Sequence, residues 1–156
     1  MLVQPISGVV IETERLRMRP LTDDDLTELV ALIGDWEVAR WVSSVPYPYG
    51  EADARIWIET VRRDHATGRP RRFAIALKDV DRIIGGVGLD GDSGDDSGEA
   101  ALGYWLGQAY WGCGYAREAV AAVIDYGSAP LGPRRSAPIP IRATSCRKRF
   151  YGIAAW

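Results

Sequence analysis

The sequence predicts one α/β domain built on a mixed sheet. Three observations carry this. The element patterns run strand, three helices, three strands, helix, strand, which suits a sheet covered by helices. The stretch Ala100–Leu106 is apolar on both faces, as a central strand with cover on each side requires. At 156 residues the chain has one-domain size. A chain of that length buries roughly 68–70% of its unfolded surface, enough for a core without staples.

Each element has a local reason. Val9–Leu21 sets Ile11, Leu16 and Met18 against Arg15, Arg17 and Arg19, a half-buried strand pair or one broken strand. Thr22 can cap the helix that follows, with Asp25 three residues on and Asp23, Asp24 and Asp25 favouring its positive end. Leu26, Leu29, Val30 and Ile33 form its apolar face, and Gly34 ends it. A short helix over Trp36–Trp41 precedes Pro46 and Pro48, which break the chain. Glu51–Ala66 reads as a longer helix with Ala54, Trp57, Ile58 and Val61 on one side. Phe73–Lys78 and Ile83–Asp90 flank a turn at Asp79–Arg82, a hairpin pattern. Gly91–Gly98 is an acidic Gly/Ser loop, and Arg117–Tyr126 is a helix burying Ala119, Val120, Val123 and Ile124. Ile139–Ala143 can form a strand, which Pro138 and Pro140 confine to an edge or delay in its start.

Composition narrows the function. No apolar run reaches the roughly 20 residues of a membrane span. The start, Met1-Leu2-Val3-Gln4-Pro5, lacks a basic segment followed by an apolar one, so no signal peptide is expected. Cys113 and Cys146 make no disulfide framework, which points to a reduced, cytoplasmic setting. The small net charge of −2 argues against a broad nucleic-acid footprint. That average hides a split. Residues 1–127 hold 13 Lys+Arg against 21 Asp+Glu, while 128–156 hold 6 Lys+Arg, no acid and four of the nine prolines. A basic Pro-rich tail fits either a plain terminus or an arm that meets a protein or nucleic acid.

The chemistry concentrates in Ala101–Ala119, which reads as strand, glycine-punctuated turn and helix. Such a layout presents the free N–H groups of a helix start to an anion. Gly112 and Gly114 remove the side chains that would hold a ligand off the backbone. No Gly-Lys-Ser/Thr follows, so an ATP-binding P-loop is disfavoured.

Trp111-Gly112-Cys113-Gly114-Tyr115-Ala116 resembles the acetyl-CoA motif of the GNAT N-acetyltransferase family, which runs Gln/Arg, two residues, Gly, one residue, Gly/Ala. Gly114 and Ala116 match, and Trp111 departs. Trp-Gly-x-Gly-Tyr-Ala after Gly-Tyr-Trp-Leu is the form of the RimJ/RimL-like branch. Glu14-Arg15-Leu16-Arg17-Met18-Arg19-Pro20 and Ile84-Gly85-Gly86-Val87-Gly88-Leu89 resemble that branch's first and third strands. The resemblance covers residues 9–127 and implies a mixed, mostly antiparallel, twisted sheet with helices on both faces. It makes residues 1–127 an acetyl-CoA-binding core and 128–156 an atypical C-terminal segment of the same domain.

The resemblance also assigns roles. The backbone of Tyr104, Trp105 and Leu106 would pair with the pantetheine arm, with the Leu106 N–H facing the thioester oxygen. The turn from Trp111 through Gly112, Cys113, Gly114, Tyr115 and Ala116 to Arg117 would hold the pyrophosphate, with no metal. The acceptor would be a primary amine, on a protein N-terminus or a small molecule. Glu99 stands as candidate base because Ala101 occupies the branch's usual acid position. Tyr151 stands as candidate acid, ahead of Ser145, although Thr144 and Arg147 depart from the family's Asn-x-x-Ala/Ser pattern. Cys113 reads as an inert thiol, since the family transfers the acyl group directly and the only histidine, His65, sits on another helix, read as a surface residue at its end. Trp36, Trp41, Tyr47, Tyr49 and Trp57 fall in the region that shapes the acceptor site, or pack the core.

The family continues with two more strands and a helix, and this chain stops about one such unit early. A truncated product, a changed reading frame, or a strand supplied across a homodimer would each account for that. Two alternatives to an enzyme follow: a non-catalytic acyl-CoA-binding remnant, and a basic-tailed module for a protein or nucleic acid.

Overall fold

The computed structural model describes residues 8–42, 45–90, 100–128 and 141–142. Six strands lie side by side in chain order: β1 (Ile11–Glu12), β2 (Leu16–Arg19), β3 (Arg72–Leu77), β4 (Ile83–Asp90), β5 (Ala100–Leu106) and β6 (Ile141–Arg142). Neighbours from β1 to β5 are antiparallel, and β6 runs parallel to β5. Helices α1 (Leu26–Ile33), α2 (Trp36–Ala39) and α3 (Glu51–Ala66) connect β2 to β3, and α4 (Tyr115–Ser128) follows β5. The predicted order of elements holds. The stretch Val9–Leu21 resolves into two strands, and α4 begins two residues earlier than its apolar pattern suggested.

The sheet separates two apolar layers. On one face Leu29, Ile33, Val38, Ala54, Ile58 and Val61 pack against Ala74, Ala76, Ile83 and Trp105. On the other, Ala119 and Val123 of α4 pack against Leu16, Met18, Ile75, Ile84, Val87 and Leu106. Burying one such Val, Leu or Ile side chain contributes about 1.5–3 kcal/mol. Alternation along β5 therefore sends Trp105 to the α1/α3 side and Leu106 to the α4 side, as a strand apolar on both faces requires.

The chain enters α1 through a short 3-10 turn, Asp23–Asp25. The Thr22 N–H and hydroxyl both donate to Asp25 Oδ2, at 2.8 and 3.1 Å. Asp25 also receives the guanidinium of Arg19. Alternation had set Arg19 on the solvent side with Arg15 and Arg17; it is in fact buried, 2% exposed.

His65 also differs from its reading as a surface residue: it is 5% exposed. Its Nε2 lies 2.8 Å from the Arg72 carbonyl, which can only accept, so the neutral ring carries its proton on Nε2. Its Nδ1 is buried and has no partner among the described residues. Burial pushes the His65 pKa below the ordinary value, against the opposing pull of the Arg72 carbonyl and the Asp64 charge. The unfolded chain then takes up the proton first as pH falls. The stability from this site is complete above the ordinary value of 6.5 and is lost as pH falls through the depressed one. Melting temperature is expected to drop between about pH 7.5 and 5.5, and to drop less in His65→Gln. An equal drop in both proteins would rule out His65 as the source.

Candidate active site

The site begins where β5 ends. Gly107 N–H donates to the Ile84 carbonyl at 2.8 Å, which makes Gly107 and Ile84 a hydrogen-bonded pair of the β4–β5 ladder. Such pairs alternate along antiparallel strands. With Gly86 opposite Trp105 and Gly85 opposite Leu106, the backbone of Trp105 faces β4, and those of Tyr104 and Leu106 face the opposite edge. Among the described residues β6 covers that edge only at Ala100 and Ala101. The Leu106 carbonyl is taken by the Trp111 indole N–H at 2.8 Å, while the Leu106 N–H points along the open edge. Of the three residues expected to pair with a ligand through their backbone, Trp105 is thus the exception. The strand register turns its N–H and carbonyl away, and its side chain lies on the other face.

A 3-10 turn, Gln108–Tyr110, then leads into the glycines. Gly112 and Gly114 have φ of +75° and +82°, the left-handed region that L side chains avoid. A Cβ on Gly112 would meet no atom within 4 Å, so conformation and not crowding demands glycine there. Gly112, Cys113 and Gly114 are exposed. The first helical bond of α4 runs from Glu118 N–H to the Gly114 carbonyl at 3.1 Å. The N–H groups of Tyr115, Ala116 and Arg117 precede it and have no helical acceptor. Left-handed glycines feeding a helix start form a concave row of N–H donors, the shape that suits a phosphate group. The residues present fit a pyrophosphate. Among the described residues no three His, Cys, Asp or Glu side chains gather to hold a metal ion.

A second network braces this turn, and no sequence pattern marked it. Glu118, in the first turn of α4, accepts from the Thr13 hydroxyl at 2.6 Å, the Arg15 N–H at 2.8 Å and Arg15 Nε at 2.8 Å. Arg15 Nη1 donates to the Cys113 carbonyl at 3.0 Å, and its guanidinium lies 4.5 Å from the centre of the Tyr115 ring. Partial burial pushes the Glu118 pKa up, but the bonds from Thr13 and Arg15 outweigh it, so the carboxyl lies below its ordinary value. Cys113 is exposed, with Sγ 3.6 Å from the Trp111 carbonyl. Among the described residues no base is a hydrogen-bond partner of its Sγ.

On the opposite face of the sheet lies a cleft of about 220 Å³. Ile33, Val45, Tyr49, Trp57 and Trp105 give it an apolar wall, and Asp53 is its charged lining residue. Burial, then the Asp53 charge, push the Tyr49 pKa up to about 12, so this phenol keeps its proton. Tyr49 and Trp57 thus meet in one place. Trp36 and Tyr47 instead pair with each other, ring centres 5.0 Å apart, and Trp41 lies under the Arg40 guanidinium. Glu99, Ser145 and Tyr151 lie outside the described residues.

An N–H row at a helix start beside a partly covered strand edge is the arrangement that the resemblance implies for an acetyltransferase domain. The chain belongs to the GNAT acetyltransferase family, whose sequence model, described as an acetyltransferase (GNAT) domain, matches residues 15–143. It is similar to the uncharacterized N-acetyltransferase p20 of Bacillus licheniformis, 34% identical over 123 residues that span 79% of this chain and 68% of that protein. An acetyltransferase structure from Agrobacterium tumefaciens superposes with TM-score 0.59 at 25% identity, covering 81% of this chain and 71% of that one. RimL, a ribosomal L7/L12 alpha-N-protein acetyltransferase solved with coenzyme A, shares the fold with TM-score 0.61 at 16% identity, covering 77% of this chain and 68% of that one. The chain spans about two thirds of the length of such relatives.

Proposed function

We propose that the chain transfers an acetyl group from acetyl-CoA to a primary amine, on a protein N-terminus or a small molecule, by direct attack. The observation that carries this is the N–H row from Gly112 to Arg117, placed next to the outward-facing Leu106 N–H. Acetyl-CoA, when bound, supplies the activated acyl carbon. Of this chain's own groups, the turn from Trp111 to Arg117 holds the pyrophosphate end. Tyr104 and Leu106 offer backbone groups to the pantetheine arm. The Leu106 N–H donates to the oxygen on which negative charge develops, the task of an oxyanion donor. The coenzyme-A complex of RimL supports the choice of ligand.

Two protons must move: one leaves the incoming ammonium and one reaches the leaving thiolate. Glu99, immediately before β5, is assigned the first task and Tyr151 the second, both on the family resemblance alone. Tyr49 is unsuited to act as base, because a phenol held near 12 stays protonated. The cleft at Trp57 and Trp105 is assigned to the acceptor, across the sheet from the phosphate turn.

Calorimetry with acetyl-CoA tests the binding half, and thiol release over a panel of amines tests the transfer half. Binding without thiol release from any amine would leave a non-catalytic remnant. Absence of binding would remove the whole assignment. Trp57→Ala is expected to raise KM for the amine about tenfold while KM for acetyl-CoA stays within about twofold. Equal change in both constants would detach the cleft from the acceptor.

A further inference from the structure

Arg15 and Glu118 stand 103 positions apart and meet at the phosphate turn. Their contact does more than join β2 to α4. Arg15 Nη1 holds the Cys113 carbonyl, at 3.0 Å. A trans peptide is planar, and its carbonyl and N–H point in opposite directions. Fixing the Cys113 carbonyl against Arg15 therefore aims the Gly114 N–H away from Arg15, out of the turn. Gly114 is the residue that needs such restraint most, since glycine at φ +82° has wide backbone freedom.

Glu118 holds Arg15 in turn. Its two oxygens take Arg15 Nε, the Arg15 N–H and the Thr13 hydroxyl, and the Thr13 hydroxyl accepts the Leu16 N–H at 3.1 Å. The guanidinium is thus gripped at Nε while Nη1 reaches the turn. Tyr115 covers its face.

We infer that Arg15 is a positioning residue for coenzyme A: gripped by Glu118, it locks the Cys113–Gly114 peptide so that the Gly114 N–H faces the pyrophosphate. This rests on the acetyl-CoA reading above. It assigns no direct contact between Arg15 and the phosphates. Because Glu118 balances its charge, Arg15 acts through geometry.

The test is calorimetry with coenzyme A on the full chain and on Arg15→Ala, Arg15→Lys and Glu118→Gln, at two salt concentrations, with melting curves alongside. Arg15→Ala is expected to weaken binding about tenfold, equivalent to roughly 1.4 kcal/mol. Arg15→Lys is expected to lose nearly as much. Lysine restores the charge but cannot span Glu118 and the Cys113 carbonyl with two fixed prongs. Glu118→Gln is expected to weaken binding several-fold, with the salt dependence of binding unchanged in all three variants.

Failure of the unaltered chain to bind coenzyme A would overturn the parent reading. Binding by the unaltered chain and equal binding by Arg15→Ala would overturn this one. Full rescue by lysine, tighter binding by Glu118→Gln, or a flatter salt dependence in Arg15→Ala would make Arg15 a phosphate cation and overturn the positioning role. Weakened binding matched by a collapse in melting temperature would reduce the pair to a fold contact, with the same result.

Discussion

Gly114→Glu is expected to abolish coenzyme A binding, a loss of about a hundredfold or more by calorimetry. Three effects add. A side chain at φ +82° strains the backbone by about 1–2 kcal/mol. A carboxylate then stands at the helix start where the pyrophosphate would lie, so like charges oppose. The new Cβ would also sit 3.4 Å from Arg15 Nη2, within reach of pulling that guanidinium from Glu118 and releasing the Cys113 carbonyl. Gly114→Ala separates these effects. It keeps the strain, adds no charge, and is expected to weaken binding far less. Gly112→Ala has no atom within 4 Å of its new methyl and reports backbone strain alone. Unchanged affinity in Gly114→Glu, with a normal melting curve, would remove the turn from the binding site.

The glycine turn before α4 was legible because its signal is local. Gly112 and Gly114 sit together in the chain, just before a helix pattern, and their residue type states the backbone conformation they allow. The path of β5 was legible for the same reason: its residues alternate, and both sets are apolar. Arg15 and Glu118 were not legible as partners. Arg15 read only as the polar side of a strand, and Glu118 only as an acid near a helix start, because periodicity assigns faces and not distant contacts. The inward turn of the Trp105 backbone was hidden as well. It depends on which residue of β4 lies opposite, and only the register of the ladder decides that. His65 had a signal that was passed over. Ala54, Ile58, Val61 and His65 follow the 4-3-4 spacing of one helix face, so the ring falls on the buried stripe even though its place at the helix end suggested the surface. Glu99 and Tyr151 are proposed for the proton chemistry on the family resemblance alone. Both lie outside the described residues.

The largest expected effect on stability lies at the opposite end of β2, at a guanidinium that alternation placed in solvent. Arg19 is buried and forked onto Asp25, with Nη1 and Nη2 at 2.8 and 2.9 Å from its two oxygens. Its remaining donors go to Asp81 Oδ1 at 2.9 Å and to the carbonyls of Pro20 and Asp81 at 3.0 Å. Every prong is used, which is what lets a guanidinium stay at this depth. Asp25→Ala would leave that charge buried and take the acceptor from the Thr22 N–H at the start of the helical entry. Removing one partner of a buried pair costs about 3–5 kcal/mol. Asp81 still faces Arg19 and is itself 41% exposed, so water and one carboxylate remain within reach and the cost belongs near the lower figure. That is still a large share of the roughly 5–15 kcal/mol that holds a domain folded. Urea unfolding should show the fall in Asp25→Ala, a smaller one in Asp25→Asn, and partial recovery in Arg19→Met with Asp25→Leu, which removes the buried charge along with its partner. Coenzyme A affinity should persist in whatever fraction stays folded, because Arg15 and the turn lie at the other end of β2. A double variant no more stable than Asp25→Ala would mean that the helical cap at Thr22, and not the buried charge, sets the cost.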